Sequence, residues 1–215
     1  DSQVYLGLES ETAKVNKAVR STRSLSLFYQ NELIDAVFHS SSGGRTENSG
    51  QVWKYQLPYL KSVIDYDQNS TKYKWTKKFS SAELEGIFSD LGGLNSIQII
   101  NKSNTGRVLR IRLYGTNGDK FVSGKYLRKK LQLLSTKFVL DFKFNQMNLE
   151  DKKVEGLALQ PLPPIPIDYF LLVNGYGAGH GVGMSQWGAK SMAERGASFR
   201  KILKHYYTGV QIKAY

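Results

Sequence analysis

With 40% hydrophobic and 12% aromatic side chains among 215 residues, the chain has enough apolar surface for a packed core, which excludes a disordered or fibrous protein. The absence of cysteine rules out disulfides, thiolate metal sites and thiol nucleophiles, and no apolar run approaches the roughly 18–20 residues that span a bilayer. A formal charge of +12 points to an anionic partner or surface: nucleic acid, acidic lipid or an anionic wall polymer.

The chain opens DSQVYLGLES, without initiator methionine or signal-peptide pattern, and reads as a mature or excised piece. From Ser24 to Ser40 the sequence SLSLFYQNELIDAVFHS alternates. Leu25, Leu27 and Tyr29 share one face; after a turn at Gln30-Asn31-Glu32, so do Ile34, Ala36 and Phe38. This predicts a hairpin whose second strand ends at His39, on the face opposite Phe38. The polar loop SSSGGRTENSG (Ser40 to Gly50) follows. Its Ser40, Ser41, Ser42, Arg45, Thr46 and Glu47, together with His39, make a candidate site, because a histidine, an arginine and a glutamate fall within nine residues. A plain solvated loop is the alternative.

FSSAELEGIFSDLGG, beginning at Phe79, predicts a helix with a serine cap, a glutamate in its first turn and a glycine stop. Three short strands follow, punctuated by Asn-Thr-Gly and Thr-Asn-Gly-Asp turns. GKYLRKKLQLLS predicts a short basic helix, and TKFVLDFKFN another strand. The proline group PLPPIP (161–166) is a stiff connector and the best candidate for an internal boundary within one domain spanning 1–215. YFLLVNG is a buried strand, and two amphipathic helices close the chain, the first from Ser185 and the second in SFRKILKHYYTG. The whole reads as α+β, mostly antiparallel strands and hairpins with several short helices.

Between the buried strand and the first closing helix lies YGAGHGVGMSQ. Four glycines alternate around one histidine, and in regular structure each costs roughly 0.5–1 kcal/mol relative to alanine. Either unusual backbone angles or the close approach of a ligand would require them. His180, Gly181, Ser185 and Gln186 are therefore candidate ligand contacts, with helix-start N–H groups available to an oxygen-rich group. A histidine capping its own turn is the competing reading. No βαβ unit follows GAGHGVG, so a dinucleotide fingerprint is excluded. No HExxH and no G-x-S-x-G elbow occurs. Neither a metal nor another cofactor is expected. The cations are spread along the chain and read mostly as solvated faces.

Two long segments, DAVFHSSSGGRTENSGQVW and GHGVGMSQWGAKSMAERGASFRKILKHYYTGV, resemble the stage II sporulation protein D family, which includes amidase-enhancer proteins; YLKSVIDYD and SGKYLRKKLQLLSTKF fit it as well. The resemblance implies an extracytoplasmic protein acting on peptidoglycan glycan strands, with a cell-wall amidase as a further partner. In sporulation members it implies lytic transglycosylase cleavage of strands stripped of their peptide stems. It also implies a groove in which glycan passes close to the glycine stretch. The family's presumed acid is a glutamate in a P-S-E-M-P-like segment ahead of an EALKAQAVAARTYA-like helix, and neither piece is matched here. The catalytic residue is therefore unassigned, with Glu47 as the weak candidate. The expectation is a chain that binds stripped glycan without cleaving it. A non-catalytic wall-binding or amidase-stimulating module is the second reading. Nucleic acid is not expected as a partner, since no RRM- or KH-type module is recognisable.

Overall fold

The computed structural model describes residues 7–144 and 169–215; the proline group at 161–166 lies outside the described residues. Helix α1 (Ala13–Ser21) is capped by Thr12, whose hydroxyl accepts from the Val15 N–H. Strand β1 (Leu25–Tyr29) turns through Gln30 and Asn31, at φ of 50° and 67°, into β2 (Glu32–Leu33). Two consecutive positive φ values suit a two-residue hairpin, because they match the strands' right-handed twist. The expected long second strand stops at Leu33. Ile34 still donates to Leu27 O, but the Val37 N–H turns back onto Asp35 O at 2.8 Å, which breaks the ladder. Phe38–His39 (β3) pair instead, in parallel, with Met184–Ser185 of the glycine segment. The other edge of β1 is taken by Gln211–Ala214, antiparallel.

Past β3, the loop carries one helical turn, α2 (Ser49–Val52). Strand β4 (Lys74–Ser80) was not legible in the sequence, because its four lysine and threonine side chains mask the alternation. Trp75 and Phe79 nevertheless pack on the core. Helix α3 (Ser81–Ile87) starts with a complete capping box between Ser80 and Glu83. Strands β5 (Ser96–Lys102), β6 (Val108–Gly115) and β7 (Gly118–Ser123) form one antiparallel sheet. In β6, Ile111 and Leu113 are buried, while Arg110 and Arg112 lie over the Phe121 ring on the opposite face. That is the period of two expected of a half-buried strand. Helix α4 (Gly124–Lys130) leads through a short loop into β8 (Phe138–Phe144), which pairs with β9 (Tyr169–Tyr176); β9 also pairs with β4.

These two sheets, with α3 and α4, enclose the first core, built on Leu84, Phe88, Ile111, Leu113, Leu127, Phe138, Leu171 and Val173. A second core gathers Leu60, Val182, Met192, Ile202, Tyr206 and Tyr207. It is made by β10 (Met184–Ser185), α5 (Gln186–Glu194) and α6 (Phe199–Tyr206) packed against β1, whose edge partner is β11 (Gln211–Ala214). Ser185 and Ser198 cap α5 and α6 through N–H groups three residues on, as serine N-caps do. The fold is α+β with mostly antiparallel pairing.

Candidate functional site

The glycine segment joins the two cores, and its backbone explains its composition. Gly177, Gly179, Gly181 and Gly183 all have φ between 69° and 106°, a region that strains L side chains. Space is equally short. A Cβ on Gly183 would sit 2.1 Å from Val37 O, and one on Gly181 would sit 2.2 Å from Nη2 of Arg107. The close approach is therefore made by the protein's own chain, and the glycines are needed without any ligand. Trp75 holds the start of the segment, its indole N–H donating to Gly177 O at 2.8 Å.

This path brings His180 against His39. Their ring centroids are 5.5 Å apart, and the Trp53 ring lies 5.2 Å from His180 on another side. Val182 bridges the pair. Its carbonyl accepts from Nδ1 of His39 at 3.0 Å, and its N–H donates to Nδ1 of His180 at 3.1 Å. In the neutral rings the remaining proton of His180 is then on Nε2, while Nε2 of His39 is a bare lone pair. That atom is buried and meets no hydrogen-bond partner among the described residues. Burial, then the His180 and Arg107 charges, pull the His39 pKa down to about 3. Burial also lowers that of His180, with the Phe38 backbone opposing it and Arg107, Arg128 and Lys125 reinforcing it. Both imidazoles are neutral at pH 7.

Arg107, in the β5–β6 turn, is 1% exposed. Its Nη2 donates to Ser42 O at 2.9 Å, and its Nε and Nη1 are buried without a partner among the described residues. Burial lowers its pKa to about 10, with Glu47 the leading group that supports the charge. Glu47 is itself 1% exposed. It accepts hydroxyl bonds from Ser103 and Thr105, and the Asn48 N–H at 2.8 Å. All three partners belong to the protein itself, so the side chain is tied into the structure of the turn and the loop. The turn and the serine loop are thus joined through one cation and one acid.

A cleft of about 880 Å³ opens beside this junction, within the range of small-molecule sites. Gly50 to Trp53 form one wall; Lys125, Arg128 and Lys129 of α4 form the other; Glu47, Arg107 and His180 lie between. It offers an indole face 40% exposed, a neutral imidazole and three cations along one helix.

Of the residues singled out in the sequence, His180 and Glu47 line this cleft, and His39 lies directly behind His180. Ser41 and Ser42 are buried and committed to carboxylates. Ser41 donates to Asp67 at 2.5 Å and Ser42 to Asp65 at 2.6 Å. Asp67 also takes the N–H groups of Gly43 and Gly44, and Asp65 takes the Tyr206 hydroxyl at 2.6 Å. Ser40 O accepts the Trp187 N–H, and Thr46 is buried against Val63. Ser185 caps α5, Gly181 covers Arg107, Arg45 is exposed with its Nε on Ser62, and Gln186 is exposed. None of these eight lines the cleft. Sequence reasoning missed Trp53 and the α4 cations as walls, and Asp65, Asp67 and Arg107 as buried charges. Trp53 had a usable signal, standing three residues beyond the polar loop. Arg107, following a turn glycine, had none. Among the described residues no three histidine or carboxylate side chains converge on a metal site.

No family model matches the chain. It is 35% identical over 206 residues to stage II sporulation protein D of Bacillus subtilis (strain 168), an overlap of 95% of this chain and 52% of that protein. To stage II sporulation protein D of Bacillus amyloliquefaciens it is 36% identical over 201 residues, 93% of this chain and 51% of the other. The chain belongs to the stage II sporulation protein D and amidase-enhancer family. The amidase enhancer of Bacillus subtilis (strain 168) is 29% identical over 247 residues, covering 99% of this chain and 34% of that protein. This family member spans about half the length of the two sporulation relatives. No helix among its described residues is long and apolar enough to cross a membrane.

Proposed function

We propose that this chain is a glycan-strand-binding module of the bacterial cell wall, working outside the cytoplasmic membrane. The observation that carries the reading is the cleft itself. An exposed indole and a neutral imidazole 5.2 Å apart suit a sugar ring, the indole through its face and the imidazole through hydroxyl hydrogen bonds. Family membership directs that reading to peptidoglycan, since the relatives are named for sporulation and for enhancing an amidase.

Cleavage is a separate matter. A lytic transglycosylase needs a carboxyl group that protonates the glycosidic oxygen and then takes the 6-hydroxyl proton. Among the described residues the one carboxylate lining this cleft is Glu47, and its oxygens accept from Ser103, Thr105 and Asn48. The chain therefore binds stripped strands and leaves them intact unless an acid is supplied from another segment. The test is co-sedimentation with peptide-stripped sacculi, followed by mass spectrometry for anhydro-muramic ends. Binding without anhydro product is expected, and anhydro product from this chain alone would overturn the assignment. The amidase-enhancer match over 99% of the chain favours a second reading, stimulation of a cell-wall amidase. A rise in amidase turnover on adding the chain, abolished by Trp53→Ala, would support it.

A further inference from the structure

Helix α1 stands apart from both cores. None of its nine residues is buried, although Val15, Ala18 and Val19 recur at the three- and four-residue spacing of one helix face. Both valines are more than half exposed, and Lys14, Lys17 and Arg20 lie off that face. A lone helix of this length is marginal in water, because helices in proteins draw most of their stability from packing an apolar face. An open groove of about 450 Å³ lies where α1 ends. Leu25 and Leu27 of β1, Leu33 of β2, Phe199 and Leu203 of α6, and Ile212 of β11 line it, and so does Thr22, the residue after α1. Next to Leu33 the chain carries Glu32 and Asp35, both exposed, in a protein whose 30 cations outnumber its 18 acids. The groove thus offers apolar side chains edged by negative charge, and α1 offers an apolar stripe flanked by positive charge.

The link between them decides which copy they serve. Only Arg23 and Ser24 separate Thr22 from β1. Ser24 sits at φ 63°, a left-handed conformation that costs a non-glycine residue energy, and its carbonyl accepts the Tyr215 N–H at 2.8 Å. None of residues 13–21 lines the groove, so this link carries α1 away from it. Short hinges under strain favour exchange of a segment between copies. We propose that α1 docks in the groove of a second copy of this chain, each copy giving its helix to the other. The valine stripe meets the leucines and Phe199 of the receiving copy, and the flanking cations meet its Glu32 and Asp35. One two-fold contact then fills both grooves. The groove shares no lining residue with the glycan cleft, so the exchange stands or falls independently of the glycan reading.

The experiment uses the whole chain, whose lack of cysteine makes engineered thiols unambiguous. Chains carrying Val19→Cys are mixed, under mild oxidation, with tagged chains carrying Leu33→Cys or Phe199→Cys. A disulfide-linked pair of one tagged and one untagged chain is expected for at least one of the two rim positions. Ile100→Cys, at an exposed position on β5, controls for chance collision and should stay uncoupled. Analytical ultracentrifugation of the parent chain should show a monomer–dimer equilibrium that shifts with concentration. Burying a valine is worth about tenfold or more in affinity, so the double variant Val15→Asp, Val19→Asp should weaken the dimer roughly a hundredfold. Its melting temperature in dilute solution should not change, because both side chains are exposed in the single chain. Glu32→Lys and Asp35→Lys should weaken the dimer only a few-fold, and less at high salt, as exposed ion pairs do. A parent chain that is monomeric at millimolar concentration would overturn the proposal, and so would a dimer that the double variant leaves intact. A disulfide closing within a single monomeric chain that carries both Val19→Cys and Phe199→Cys would overturn it too, because α1 would then fill its own groove.

Discussion

Replacing Glu47 by glutamine separates a structural carboxylate from a catalytic one. The side chain is 1% exposed and accepts from two hydroxyls and one backbone N–H. A glutamine keeps the shape, and its oxygen can still accept the Asn48 N–H while its NH2 faces the two hydroxyls, which must then turn from donating to accepting. The change also removes the acid that most supports the buried Arg107 charge. Removing one member of a buried ionic arrangement costs roughly 3–5 kcal/mol. For a chain of this size each kcal/mol lowers the melting temperature by roughly 2–4 °C, so E47Q should melt roughly 6–20 °C below the parent. Urea unfolding followed by tryptophan fluorescence measures the free energy, and circular dichroism measures the melt. A variant within about 0.5 kcal/mol of the parent, the usual range for a surface change, would refute the reasoning. It would return Glu47 to the list of candidate acids, above all if anhydro-product formation were lost in an assembly supplied with the family's upstream segment.

His39 gives a pH signature. Its folded pKa of about 3 lies below its unfolded value, so the unfolded chain binds the extra proton. Stability should therefore fall as pH drops from about 6.5 toward 3, by up to roughly 1.4 kcal/mol per pH unit from this group. Urea titrations at several pH values should show a shallower slope for His39→Asn, and an identical slope would contradict the assignment. Gly183→Ala places a Cβ 2.1 Å from Val37 O at a φ of 70°. Strain of roughly 1–2 kcal/mol plus overpacking of roughly 1–3 kcal/mol should appear as destabilisation of at least about 2 kcal/mol in the same assay; a neutral result would mean the segment adapts. Trp53→Ala should weaken glycan binding roughly tenfold with the melting temperature nearly unchanged, and undiminished sedimentation with stripped sacculi would remove the indole from the binding surface.

What the sequence determined by itself was whatever a few neighbouring residues decide. Ser80 and Glu83 close a capping box over three positions, and Ser185 and Ser198 cap their helices over the same distance. The strands between Ser96 and Ser123 are set by side-chain alternation and by the turns between them. The four glycines pointed either to unusual backbone angles or to a ligand's close approach, and the angles account for them, because positive φ is a local property of the residue. Which groups the strain serves was a different question. His39 left its hairpin for a parallel partner 146 positions away (185 minus 39), and no local pattern encodes that exchange. Ser41 and Ser42 looked like free hydroxyls until Asp65 and Asp67 arrived from another loop to take them. Arg107 looked like a solvated turn residue and is buried, because the turn that carries it packs onto the serine loop. Local hydrogen bonding and hydrophobic period can be read along a chain. The burial of a charge, and the wall of a cleft made from α2 and α4, depend on segments that meet only after both cores have formed.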